Sequence, residues 1–338
     1  MLFELPGFEY KSVTDVQEAV SYLARYGEKA KVIAGATDLL SLMKDRIEGP
    51  ALKTPEVLVN IKKIPGLNAI SYKEGNGLRI GATATLKQLA TSDIIREKFP
   101  VIAEAALHVG TTQLRNMGTL GGNLCQRPRC SYFRHPHFIC FKKGGDRCYA
   151  ISGEHRFYHA IMMHGKCVAA HPSDLAPALI ALRGNAVIAG PRGERRAPLD
   201  TFFTGANSLG ETALEPDELL TGVVVPDQPG SGQVFLKERI RHAADFALAS
   251  VALSVRMPAR VCEKARIVLG SVAPAPYVAA AVEDMITGRK LDRRLIATAA
   301  EASVTEARPL RMNGYKMDLA KVLVERALTR VVKDLEGR

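Results

Sequence analysis

Apolar positions recur at helical spacing at Val16, Ala19, Val20 and Leu23. Thr14 stands where a cap would open the helix and Gly27 where one would close it. The pattern then shortens. KVIAGATDLL over 31–40 begins as a buried strand, turns at Gly35 and continues as helix or loop, and EVLVNI over 56–61 is a strand. GLRIGATATLKQLATS over 77–92 reads as a strand leading into a helix, and FPVIAEAALHVG over 99–110 as a helix ended by Gly110. Helix and strand in this order predict an α+β or α/β layer fold.

No period is sustained over 111–170, where Gly, Arg, Cys and His dominate. So long an irregular stretch inside a compact chain calls for a functional reason or a bound group. Regular patterning returns over 174–203 as a helix followed by a hairpin, and ELLTGVVVP over 218–226 is a strand stopped by Pro226. The Pro/Gly/Ser run PDQPGSG over 226–232 marks a domain boundary. Beyond it, QVFLKERIR, ALASVALSVRMPA and ARIVLGSV read chiefly as strands, and the chain from about Ala279 onward reads as helical.

The chain has 338 residues, 47% hydrophobic and 24% charged, enough for two or three domains with cores of their own. No apolar run approaches the ~20 residues of a membrane span, and the N-terminus lacks a basic region followed by an apolar one. These features predict a cytoplasmic protein, periplasmic only by co-export with a partner. Lys and Arg number 46 against 35 Asp and Glu, a net charge of +11 that raises nucleic acid as a ligand. The basic residues are not in blocks, aromatics are 6% and Trp is absent, so a stacking platform for single strands is poorly supplied.

Three stretches carry candidate chemistry. The small-residue turn Ala34-Gly35-Ala36 after a strand can present backbone N–H groups to an anion, or be an ordinary strand–turn–helix whose Thr37 or Asp38 caps the helix. LRNMGTLGGNL over 114–124 is a second glycine turn, either donor-rich or simply tight, with positive φ at its glycines. It is not a GxGxxG fingerprint. The third is a run of cysteines: Cys125, Cys130, Cys140, Cys148 and Cys167. None forms the close Cys-x-x-Cys pair of a zinc ribbon, so a basic zinc module for nucleic acid fits poorly. Four thiolates from such a loop suit an iron–sulfur cluster. Arg127, Arg129, Arg134, Lys142, Lys143, Arg147, Arg156 and Lys166 outnumber Asp146 and Glu154 there and would offset the charge of a cluster. Buried small hydrophobes or free thiols are the plainer alternative. The loop's histidines, His135, His137, His155, His159, His164 and His171, read as positional, with one of them open as a ligand.

Together AGATDLL, LRNMGTLGGNL and HPSDLAPALIAL resemble the FAD-binding subunits of the molybdenum hydroxylases, the flavoprotein family of xanthine dehydrogenase, aldehyde oxidoreductase and carbon monoxide dehydrogenase. The stretch from RPRC to CVAAHPSDLAPAL resembles the subgroup with an inserted [4Fe-4S] loop, which includes 4-hydroxybenzoyl-CoA reductase and a bacterial aldehyde oxidoreductase. The short loop between Cys130 and Cys140 is more similar to the aldehyde enzyme.

The resemblance implies an α+β fold. A two-subdomain FAD-binding domain like that of vanillyl-alcohol oxidase spans 1–226, with subdomains at about 1–60 and 61–226 and the cluster loop at about 125–170. A C-terminal domain at 232–338 has a three-stranded sheet with helices. The resemblance also implies a pyrophosphate turn of Val32, Ile33, Ala34, Gly35, Ala36, Thr37 and Asp38, and a second turn contributing Gly110, Gly118, Thr119, Gly122 and Asn123. Asp174 would hold FAD hydroxyls, and Leu220 and Lys237 would line the flavin. Cluster ligands would be Cys130, Cys140, Cys148 and Cys167, with Cys125 beside the flavin turn. No catalytic acid–base pair is implied.

The family's Gly-Gly-Thr is Gly35-Ala36-Thr37 here, a methyl that fits if φ at residue 36 is negative. By resemblance the chain is the electron-transfer subunit of a heterotrimer or its dimer. Its partners would be a large molybdopterin subunit, a small [2Fe-2S] subunit and a small-molecule electron acceptor. Aldehyde is the substrate class implied first, and a 4-hydroxybenzoyl-CoA reductase or xanthine dehydrogenase-like enzyme is the alternative.

Overall fold

A computed structural model describes residues 4–336. The chain first builds a parallel three-stranded sheet. It consists of β1 (Glu9–Ser12), α1 (Val16–Tyr26), β2 (Ala30–Ile33), α2 (Leu39–Lys44) and β3 (Val57–Asn60), with β3 central between β1 and β2. The central strand is buried along its whole length, which its apolar VLVN sequence permits. Helix α1 lays Ala19, Val20 and Leu23 into this core, each such side chain worth about 1.5–3 kcal/mol at the size of Leu or Val. Asp15, not Thr14, caps it: its carboxylate accepts the N–H groups of Gln17 and Glu18.

The second unit contains β4 (Ile70–Lys73), β5 (Gly77–Gly81), α3 (Leu86–Thr91), α4 (Asp93–Lys98) and α5 (Pro100–Leu107). It continues with α6 (Thr112–Met117), α7 (Leu120–Leu124), α8 (Leu175–Ala181), β6 (Asn185–Gly190), β7 (Gly193–Pro198), α9 (Leu199–Phe202) and β8 (Leu219–Val225). Its five strands form an antiparallel sheet in the order β4-β5-β8-β6-β7. Helix α5 ends at Leu107 with His108 as its cap, so Gly110 lies beyond the helix, in the left-handed region at φ +50°. Between Cys125 and Asp174 the only helical turn is a 3₁₀ turn at Phe141–Lys143.

The last unit has β9 (Ser231–Glu238), β10 (Ala249–Arg256), β11 (Lys264–Gly270) and β12 (Tyr277–Val278), followed by α10 (Ala280–Ile286), α11 (Arg293–Ala302) and α12 (Tyr315–Glu336). Its three long strands form the expected three-stranded sheet, antiparallel throughout, and the two-residue β12 adds a short fourth edge strand beside β11. The irregular 125–174 segment is stitched to this unit by backbone bonds from Ile161 and Met162 to Val272 and from His171 to Ala273. Among the described residues no helix is long and apolar enough to cross a membrane.

Candidate functional site

Beyond β2 the chain turns through Ala34-Gly35-Ala36-Thr37 into α2. A side-chain carbon on Gly35 would overlap the carbonyl oxygen of Met117, so this position needs glycine because the two glycine turns abut. Ala36 has φ +61°, against the negative value its methyl called for. An L-residue in that region carries strain of about 1–2 kcal/mol. Among the described residues no acceptor takes the backbone N–H groups of Gly35, Ala36, Thr37 or Asp38, which leaves a row of donors suited to an anion.

Asp38 is turned away from that row. Its Oδ1 accepts Arg129 Nη2 at 2.8 Å and Arg134 Nη2 at 2.7 Å, and its Oδ2 accepts the Arg127 N–H at 2.9 Å. The carboxylate is therefore a tether between this turn and the segment around Cys130, and its side chain is no cradle for a phosphate.

The second turn spends most of its donors internally. Thr111 caps α6 and Thr119 caps α7, accepting the N–H groups of Leu114 and Gly122. Leu120 and Gly121 donate to the carbonyls of Ala84 and Ala82, and Gly118 donates to Leu114. Gly118 has φ −63°, and Gly121 and Gly122 are not in the left-handed region; among the turn residues named here only Gly110 is. These glycines serve close packing instead: a Cβ on Gly121 would crowd Ala82, and one on Gly118 would crowd Leu86. Asn123 Oδ1 accepts Ser173 Oγ at 2.5 Å, which ties α7 to the start of α8. Ser173 Oγ also accepts the Ala176 N–H and so caps α8. Sequence reading missed this serine, although its place before the helix is a capping signal.

Asp174 and Lys237 form a buried ion pair, Nζ to Oδ2 2.6 Å, with side chains 4% and 1% exposed. Lys237 also donates to the His108 carbonyl at 3.0 Å, and so does Arg239 at 3.1 Å. Asp174 Oδ1 is buried with no partner among the described residues, an oxygen available to a hydroxyl donor. Burial raises the Asp174 carboxyl above its ordinary value despite Lys237, and burial followed by the Arg239 charge holds His108 below its own. Ser250, opposite Lys237 across β9 and β10, has a buried Oγ without a partner among the described residues. Leu220 lies in β8 within the sheet core, 4% exposed and opposite Ile188.

Cys130, Cys140, Cys148 and Cys167 line a single small enclosed cavity, with Lys142 and Tyr149 among its walls. The Ala169 N–H donates to Cys167 Sγ at 3.4 Å, and neighbouring backbone N–H groups act against burial on the other thiols: Tyr132 and Phe133 on Cys130, Lys142 and Lys143 on Cys140, and Ala150, Ile151 and Val168 on Cys148. Burial pushes the Cys130 thiol up to about 12, whereas a hydrogen bond from Cys167 lowers Cys148 and raises Cys167. His159 places Nε2 3.2 Å from Cys130 Sγ.

Among the described residues no set of three His, Cys, Asp or Glu side chains is gathered to hold a single metal ion. The sulfurs instead surround a space, and four thiols with converging N–H donors are a donor set of the kind a multinuclear cluster uses. His155 and His164 bond to the carbonyls of Ala150 and Ala160. Cys125 stands apart, packed against the core of the five-stranded unit, its thiol pushed up to about 12 by burial.

Comparison with known proteins matches residues 6–228 to the family described as "FAD binding domain in molybdopterin dehydrogenase" and residues 235–331 to "CO dehydrogenase flavoprotein C-terminal domain". The chain is 34% identical over 322 residues to the aldehyde oxidoreductase FAD-binding subunit of Escherichia coli, covering 94% of this chain and 96% of that one. It is 31% identical over 329 residues to the carbon monoxide dehydrogenase medium chain of Hydrogenophaga pseudoflava, covering 96% of each. The solved structure of carbon monoxide dehydrogenase from Hydrogenophaga pseudoflava superposes with a TM-score of 0.77 at 28% identity, covering 97% of this chain and 98% of that one. The reconstituted enzyme from Oligotropha carboxidovorans gives 0.78 at 27%, with coverage of 98% and 99%.

Proposed function

Because the chain belongs to the family of FAD-binding subunits of the molybdopterin dehydrogenases, we propose that it is the FAD-carrying electron-transfer subunit of a molybdenum-containing aldehyde oxidoreductase. The aldehyde class rests on the 34% identity to a subunit so named. In this reading substrate is oxidised on a large molybdopterin-binding subunit. A small [2Fe-2S] subunit links that centre to this chain within a heterotrimer, and a small-molecule acceptor removes the electrons. FAD, when bound, supplies a carrier able to take electrons one or two at a time.

The observation that carries the reading is the pairing of unspent donors with an unspent acceptor. The N–H groups of Gly35, Ala36 and Thr37 are free for a pyrophosphate, and Asp174 Oδ1 is free for a ribityl or ribose hydroxyl. Lys237 fixes Asp174 and keeps its second oxygen directed inward. Ser173 and Asn123 fix α8 against the second turn. Asp38 contributes through Arg129 and Arg134, by fixing the turn.

The four-cysteine cavity is proposed to hold a [4Fe-4S] cluster on Cys130, Cys140, Cys148 and Cys167. The converging N–H groups and the nearby Lys142 and Lys143 suit a negatively charged group. Purification without oxygen, with flavin, iron and acid-labile sulfide quantified, tests both cofactors. Stoichiometric FAD with about four iron per chain is expected. A colourless, iron-free preparation that resists reconstitution overturns the reading. Co-purification of a molybdenum-containing subunit that oxidises aldehydes tests the complex.

A further inference from the structure

His159 is 4% exposed and aims Nε2 at Cys130 Sγ on the wall of the cysteine cavity. Its backbone is held from distant parts of the chain. Lys316 Nζ donates to the His159 carbonyl at 2.9 Å, and to the carbonyls of Phe157 at 3.1 Å and Ser271 at 2.7 Å. Asn313 Nδ2 donates to the carbonyls of His159 and Ala160. On either side of His159, Ala160 donates to Val168 and Ala170 donates to Tyr158, so this strand-like pair faces the arm that carries Cys167. The ring is thus set by a frame that belongs partly to the C-terminal unit.

The tautomer follows from the surroundings. A neutral imidazole carries one N–H. Among the described residues His159 Nδ1 is buried with no partner, whereas Nε2 faces a sulfur. A buried N–H left without an acceptor is costly, so the proton belongs on Nε2. We propose that His159 is a positioning residue for the group held by the four cysteines, donating Nε2–H to Cys130 Sγ, with Lys316 and Asn313 holding it in place. This rests on the cluster reading above. An N–H donated to a ligating sulfur draws negative charge from it and favours the reduced, more anionic state, so its loss lowers the reduction potential.

The test uses the full chain carrying His159→Gln, which retains an amide N–H, and His159→Phe, which has none. Iron, sulfide and FAD are quantified first, and the cluster midpoint is then read by EPR-monitored redox titration. A more negative midpoint in His159→Phe is expected, with His159→Gln close to the unaltered protein and FAD content equal in all three. Lys316→Met should shift the midpoint in the same direction by a smaller amount. An unchanged midpoint in iron-replete His159→Phe overturns the proposal. Iron lost from His159→Phe but kept by His159→Gln supports it, and iron lost from both overturns a donor role. Absence of iron and sulfide from the unaltered protein overturns the cluster reading itself, and is seen before any variant is compared.

Discussion

Lys237 Nζ sits 2.6 Å from Asp174 Oδ2 with both side chains almost wholly out of solvent, and this pair joins the sheet of the C-terminal unit to the first residue of the α8 region. Removing one partner of a buried pair leaves the other charge uncompensated, at about 3–5 kcal/mol. Lys237→Met should therefore destabilise the protein by that order and release FAD on gel filtration. Lys237→Met combined with Asp174→Asn should recover much of the stability but none of the FAD retention. Urea unfolding and flavin content separate the two effects, and full flavin in the double variant would remove Asp174 from the binding site.

Gly35→Val places a branched side chain on the Met117 carbonyl oxygen. Overpacking of this kind costs about 1–3 kcal/mol. Loss of flavin together with a lower Tm is the expected outcome. A normal Tm with lost flavin would mean that the clash is relieved by opening the two turns away from each other.

Ala36→Gly removes the methyl from a residue at φ +61°. The gain is about 1 kcal/mol, less the larger entropy glycine loses on folding. Thermal unfolding should show a small rise, with flavin content unchanged. A fall would show that the Ala36 methyl, packed beside Ile33 and Met43, contributes more than its strain.

Asp38→Asn weakens three bonds that hold Arg127, Arg129 and Arg134. Hydrogen bonds to a charged group are worth about 1.5–3 kcal/mol. Because those arginines flank Cys130, both FAD and iron should be retained less well, in parallel. Independent loss of one without the other would break the mechanical link between the two sites.

His171 is buried, and burial, reinforced by the Lys142 charge, holds its ring down to about 3. A depressed histidine binds its proton more weakly in the folded state than in the unfolded chain. Its contribution is therefore present above the ordinary 6.5 and is lost as pH falls from 6.5 toward 3, at up to about 1.4 kcal/mol per pH unit. Urea unfolding at pH 7, 6 and 5 should show declining stability, with a shallower decline in His171→Gln. Equal slopes would mean that carboxylates elsewhere carry the whole effect.

Most strands and helices were legible because their apolar runs are buried: VLVN of β3 and LLTGVVV of β8 announce themselves. The strands β1 and β4, EYKS and ISYK, were not read because they lie at sheet edges with exposed alternate or consecutive residues and so carry no hydrophobic signal. The small-residue turn at 34–37 was readable as a donor row, but the sign of φ at Ala36 was not, since alanine gives no hint of left-handed backbone. Nor could sequence foretell that Asp38 would be claimed by arginines some ninety residues away, or that Lys237 would meet Asp174. Pairings of this kind are made by the packing of whole units, and local pattern does not carry them.

The three carbonyls gathered by Lys316 come from Phe157, His159 and Ser271, while the lysine itself lies in α12, far beyond Cys167 in sequence. A nascent polypeptide emerging from the ribosome would have the four pocket cysteines outside long before that ammonium arrives to order the peptide groups beside them. Maturation machinery delivering an inorganic group to this pocket would therefore meet its finished shape only once Lys316 has emerged, and a chain truncated before the helix that carries it should remain an open substrate for oxidation.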